Sequence, residues 1–129
     1  MRSQSSFVIA MMAGIAALIS ACTGPSVDAL REQDDAVGFF GRESAEEVAS
    51  CLSEQLEAVK AFGSVIVVER HYDDRITIYE TLPNTAMSVF DIHGGQWRTR
   101  VDVAVRRHLY RGNMKPLYQE ITRDCLSPA

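Results

Sequence analysis

The sequence predicts an α+β fold of two layers. A four-stranded antiparallel sheet carries an N-terminal and a C-terminal helix on one face, in the order α-β-β-β-β-α. Three observations predict it: a capped apolar stripe at helical spacing from residue 44, a series of β-branched and alternating runs between residues 64 and 106, and a second helical stripe before the C-terminus.

The first helix opens on Ser44-x-x-Glu47, a capping box in which the serine side chain accepts from the third helical amide. Val48, Leu52, Leu56 and Val59 then recur at helical spacing, with Cys51 at the edge of the stripe, and Gly63 supplies a stop. Glu46, Glu54 and Glu57 fall on the opposite, solvated side.

Four strands follow. "SVIVVERH" (64–71) is nearly continuous, Asp73-Asp74 marks a turn, and "RITIYET" (75–81) alternates. Pro83-Asn84 forms the next turn, with proline at its second position. "AMSVFDIH" (86–93) and "QWRTRVDVAVR" (96–106) flank Gly94-Gly95, which reads as a type I′ hairpin because both loop positions would need positive φ. That two-residue loop would pair His93 with Gln96, Ile92 with Trp97, Asp91 with Arg98 and Phe90 with Thr99. Opposite residues share a face. Phe90, Ile92, Trp97, Val101, Val103 and Val105 are therefore expected in the core. His93, Asp91, Arg98, Arg100, Asp102, Val89 and Met87 are expected on an open outer face. In the tail, Pro116 suits a first helical turn, Asn113 a cap, and Leu117, Ile121 and Cys125 follow at i, i+4 and i+8.

Before the first helix, residues 23–41 read as a tether and approach segment. Ser26 is placed to cap a short helix through Gln33, and Phe39-Phe40 to dock onto the domain. Further upstream, Arg2 is the only charge before Asp28, and residues 7–19 give thirteen mostly apolar positions closed by Ser20 and Ala21. That is the pattern of a secretory signal. It is too short for a membrane span, which needs roughly 18 or more apolar residues.

Ile19-Ser20-Ala21-Cys22 resembles the lipobox of bacterial lipoproteins: an aliphatic residue, two small ones, then cysteine. The resemblance covers only residues 1 to about 24. It implies cleavage before Cys22, a diacylglyceryl group on its sulfur and an acylated amino group. Each buried methylene contributes about 0.8 kcal/mol, so several chains anchor stably. Thr23 stands where an aspartate resembles the inner-membrane retention signal, so the implied destination is the outer membrane, facing the periplasm. The chain divides accordingly into a signal peptide (1–21), a lipidated N-terminus and tether (22–41) and a small α+β domain (42–129).

With Cys22 lipidated, Cys51 and Cys125 have one possible pairing, and an oxidising periplasm favours it. The alternative is two buried free thiols.

An apolar fraction of 47% and a charged fraction of 23% are those of an ordinary globular chain. A net charge of −4 argues against nucleic acid as a partner, since phosphates call for a basic face. The charge is uneven: from Cys22 to Glu69 there are ten acidic residues against three basic, and from Arg70 onward seven against nine.

No residue set composes a catalytic or metal site, and no cofactor is implied. His71-Tyr72-Asp73-Asp74 lacks a second histidine at ligand spacing, His93 beside Gly94-Gly95 reads as a strand-end polar residue, and His108 lies among arginines. Asp91, Asp102 and Glu80 would share a face, but Arg98 and Arg100 hold the first two ionised, the wrong state for a general acid. The candidate binding surface is the outer sheet face. There Arg98 and Arg100 are suited to oxyanions, flanked by Asp91 and His93 and by apolar Met87 and Val89. The expected function is a non-enzymatic, lipid-anchored module that binds or braces an envelope protein. The alternatives are a binder of small anionic ligands or lipid headgroups through Arg98/Arg100, and a periplasmic hydrolase.

Overall fold

A computed structural model describes residues 26–33, 36–59, 65–106 and 114–128. The elements are α1 (Val27–Gln33), β1 (Val37–Gly41), α2 (Ala45–Ala58), β2 (Ile66–His71), β3 (Ile76–Leu82), β4 (Thr85–His93), β5 (Thr99–Val105) and α3 (Lys115–Asp124). The fold is α+β as expected, but its antiparallel sheet has five strands, in the order β1-β5-β4-β3-β2. The fifth strand is β1, built from a segment read as approach. Phe39 lies opposite Val101 and Phe40 opposite Arg100. A five-residue run containing two glycines and two phenylalanines gives too short an alternation to mark a strand on its own; the edge of β5 supplies the template.

The inner face of the sheet carries the main core. Ile76, Ile78, Phe90, Ile92, Val101, Val103 and Val105 pack against Val48, Ala49, Leu52 and Leu56 of α2 and Tyr118 and Ile121 of α3. Each such aliphatic side chain stabilises by about 1.5–3 kcal/mol when fully buried. The cap on α2 is the expected one, with the Glu47 amide donating to Ser44 Oγ at 3.2 Å. The helix closes at Ala58 with Val59 as C-cap; the expected stop at Gly63 lies outside the described residues, as do Asn113, His108 and the segment through Cys22. Pro116 occupies the first turn of α3. Cys51 and Cys125 form a disulfide with Cα atoms 5.7 Å apart, joining α2 to the end of α3.

The outer face is not open. The Ala29 amide donates to Ser26 Oγ at 3.2 Å, which caps α1 as expected. This short helix lies on the sheet, with Leu30 buried against Ala86, Val89 and Ala104, and Val27 and Tyr79 alongside. Helices therefore cover both faces.

One connection keeps the expected Asp73-Asp74 turn and one differs from expectation. Residues 72–75 link β2 to β3, closed by the Tyr72 amide donating to the Arg75 carbonyl at 2.8 Å. Between β4 and β5, His93 pairs with Arg100 and Ile92 with Val101, so the Gly94-Gly95 turn is part of a five-residue connection, 94–98, rather than a type I′ hairpin. Neither glycine adopts the positive φ that the tight turn would demand. Gly95 serves closeness instead, since a Cβ there would stand 2.6 Å from the Arg98 carbonyl oxygen. The slip is four residues. An even slip preserves face parity, so the valines of β5 still point into the core.

Candidate functional site

The connection 94–98 carries Trp97, Arg98 and the end of the sheet around them. Thr99, the first residue of β5, is buried and donates from Oγ1 to the Glu43 carbonyl at 2.6 Å, tying this end to the chain entering α2. Beside it Gly94 approaches Ala45 closely enough that an added Cβ would meet the alanine Cβ at 3.3 Å. The loop is held at both ends while its tip projects.

Trp97, expected in the core opposite Ile92, is 85% exposed. Ile92 has Val101 as its partner, and the indole is left in the loop. Arg98 leaves the strand as well. Its guanidinium lies 4.1 Å from the centre of the Phe40 ring, a cation–π contact rather than the expected pair with Asp91. Arg100 does stand on β5, exposed, with Nη2 3.3 Å from the Asp102 carboxylate, which is also 3.4 Å from His93 Nε2.

Phe40, His93, Trp97, Arg98 and Arg100 line one hollow of about 350 Å³. A second, of about 470 Å³, lies on the other side of the loop, between residues 94–99 and residues 42–47, with Arg42 at its rim. Trp97 borders both. Three of the predicted candidates, His93, Arg98 and Arg100, thus come together. Among the described residues, no hydroxyl or thiol side chain lines the hollow of about 350 Å³.

The other three candidates lie elsewhere. Met87 and Val89 are fully buried, so the outer face has no exposed apolar strip at those positions. Val89 lies under Leu30 of α1, and Met87 is the extra residue of an irregularity where Glu80 pairs with Ser88 and Thr81 with Ala86. Asp91 is held beneath α1. Its carboxylate accepts from Arg31 Nε and Nη2, both at 2.8 Å, and from Thr77 Oγ1 at 2.7 Å, with Arg75 Nε at 3.7 Å. Burial raises the cost of its charge, but the hydrogen bonds from Arg31 and Thr77 and the charges of Arg31 and Arg75 outweigh that and hold its pKa below the usual carboxylate value. Arg31 is matched, its own pKa raised by the same partner.

Glu80 does not share a face with Asp91 and Asp102. It is buried on the inner side, where it accepts from Ser88 Oγ at 2.9 Å and hydrogen-bonds Tyr118. His71 projects at the far edge beside Glu69, at 2.9 Å. Among the described residues no group of three His, Cys, Asp or Glu side chains gathers as a metal site, and no helix is long and apolar enough to cross a membrane.

Phe40 and Trp97 are the site residues that the sequence reading placed elsewhere. The signal for Trp97 was ambiguous, because an aromatic two residues past a glycine pair reads as strand until the loop length is known. No protein-family model, curated protein or solved structure matches the chain.

Proposed function

We propose that this protein is a lipid-anchored binding module of the bacterial cell envelope, acylated at Cys22, that meets a partner protein through the sheet end formed by Phe40, Trp97, Arg98 and Arg100. The signal-like segment and the lipobox support the anchor. The Cys51–Cys125 disulfide fits an oxidising compartment.

One observation carries the binding reading: Trp97 stands almost wholly in water between two hollows, next to two arginines. Leaving a large apolar side chain exposed forgoes about 2 kcal/mol of burial. Tryptophan and arginine are also the residue types that dominate protein interfaces once covered.

The test joins both halves of the proposal. Cys22→Ser should abolish palmitate incorporation and release the chain from membranes. A Trp97→Ala/Arg98→Ser variant should keep both properties and its melting temperature, yet lose the partner that cross-linking captures from intact cells. An unassociated monomer in wild-type cells would contradict the reading.

A second reading, a small anionic ligand or lipid headgroup in the same place, draws on Arg98. Among the described residues this guanidinium has an aromatic ring but no carboxylate beside it. Binding of an anionic ligand that Arg98→Ser/Arg100→Ser abolishes, without loss of melting temperature, would favour it over a protein partner.

A further inference from the structure

The two edges of the sheet differ in how they are protected. An edge strand turns alternate N–H and C=O groups toward solvent, and proteins guard against unwanted pairing with charges, bulges or covering segments. The β2 edge carries Glu69, Arg70 and His71 in succession, all exposed. The β1 edge, Val37–Gly41, carries no charge, and Val37 and Phe40 are exposed. Among the described residues its only strand partner is β5.

Charge surrounds this bare edge on both faces. Arg98 lies over Phe40 on the outer side at 4.1 Å, and Arg123 of α3 lies over Phe39 on the inner side at 5.3 Å. Exposed Arg42 follows directly after the strand. Neither Arg98 nor Arg123 has a carboxylate partner among the described residues. Two described acids nearby are engaged: Asp102, opposite Gly38, by Arg100 and His93, and Glu43 by the Ser127 amide at 2.8 and 3.0 Å. Among the described residues this sets arginines over both faces of an uncharged strand, which Asp34-Asp35 precede in the sequence.

We infer that β1 is a docking edge for an extended, acidic segment of another protein, which adds as a sixth strand. Main-chain hydrogen bonds to β1 supply the affinity of such an addition, and alternate side chains supply selectivity. Here the alternate positions of the incoming strand fall beside Phe40 and Arg98 on one face and beside Phe39 and Arg123 on the other. Carboxylates at those positions meet a planar guanidinium already held against a ring, which suits two-point contact. A second copy of this chain is the poorer occupant, because pairing β1 with β1 would bring the arginine rims of two molecules together. The inference adds a surface and a partner chemistry to the function proposed above and does not depend on lipidation.

The test uses the full chain in detergent, labelled for amide NMR. The probes are a ten-residue peptide alternating glutamate with threonine and valine, the same peptide with lysine for glutamate, and the glutamate peptide N-methylated at alternate residues. The glutamate peptide should shift and protect the amides of Val37–Gly41. The lysine and N-methylated peptides should not. Arg98→Ser/Arg123→Ser should weaken the glutamate peptide about tenfold, with the amide spectrum otherwise retained. Equal binding of the lysine peptide, protection at β2 instead of β1, or concentration-dependent dimerisation through β1 in sedimentation would each overturn the inference. None of these outcomes bears on the Trp97 contact, which is read by cross-linking in cells.

Discussion

Arg31 and Asp91, sixty residues apart in sequence, form a two-pronged ion pair at 2.8 and 2.8 Å that fastens α1 to the outer face of the sheet. Thr77 completes the carboxylate's partners, and Leu30 beside it fills the space over Val89 and Ala104. A seven-residue helix has little stability of its own, so this pair and one buried leucine decide whether it stays docked.

The pair makes α1 acid-sensitive. Asp91 ionises in the folded protein below its ordinary value of 3.8, so its contribution is present above that pH and is lost as pH falls through the lower folded value. Asp91→Asn should lower stability at neutral pH by about 2 kcal/mol, because Arg31 loses its partner. It should also flatten the acid limb of a melting-temperature profile between about pH 2 and 5. An unchanged acid limb would show that the pair does not hold the helix.

Tyr118 predicts the alkaline side. Burial raises its pKa strongly, reinforced by the charge of Glu80 and their hydrogen bond. A raised folded value means that stability is full below the unfolded tyrosine value of about 10 and declines as pH climbs above it. Tyr118→Phe should cost about 1 kcal/mol at neutral pH while making unfolding less sensitive to alkali than in the wild type. Equal alkaline slopes for the two proteins would refute the assignment.

Gly41 permits the closest approach between β1 and the chain after α3. A Cβ there would stand 2.6 Å from Leu126 Cδ2, 2.8 Å from Leu126 Cβ and 2.8 Å from the Glu43 carboxylate. Gly41→Ala should therefore destabilise by about 1–3 kcal/mol, as overpacking does. The same change at Gly94, where the nearest contact is 3.3 Å, should cost less. Denaturant midpoints for the two variants compare them directly.

The Cys51–Cys125 bridge closes a span of 74 residues, which on the chain-entropy account is worth about 4 kcal/mol. Cys51→Ala/Cys125→Ala should lower the denaturant midpoint by a corresponding amount, and a reductant should do the same to wild type but not to the variant. A midpoint unmoved by either would contradict the account.

Most of the core was legible because it rests on local rules. The Ser44 cap, the Val48–Leu52–Leu56 stripe, the Pro83-Asn84 turn and the alternation of β4 and β5 each declare themselves within a few residues. Even the four-residue slip at Gly94-Gly95 left the core valines in place, since parity survived. What failed was set by distant partners. The strand at Val37–Gly41 exists because β5 offers it an edge, and Val89 is buried because Leu30 returns over it. Asp91 finds Arg31 rather than Arg98, a choice no local spacing encodes. The site was half legible for the same reason. His93, Arg98 and Arg100 share a hollow as their proximity suggested, whereas Trp97 and Phe40 join it through loop length and the added strand.

The central claim is that the Trp97 end of the sheet is where this protein meets its partner. The most direct measurement replaces Gln96, the exposed neighbour of Trp97 that lines both hollows, with a photo-reactive phenylalanine analogue in the lipid-anchored protein and irradiates intact cells, with the same replacement at exposed Glu54 on α2 as the control. The account predicts one discrete adduct from position 96 and none from position 54. No adduct from position 96, or the same adduct from both positions, would contradict it.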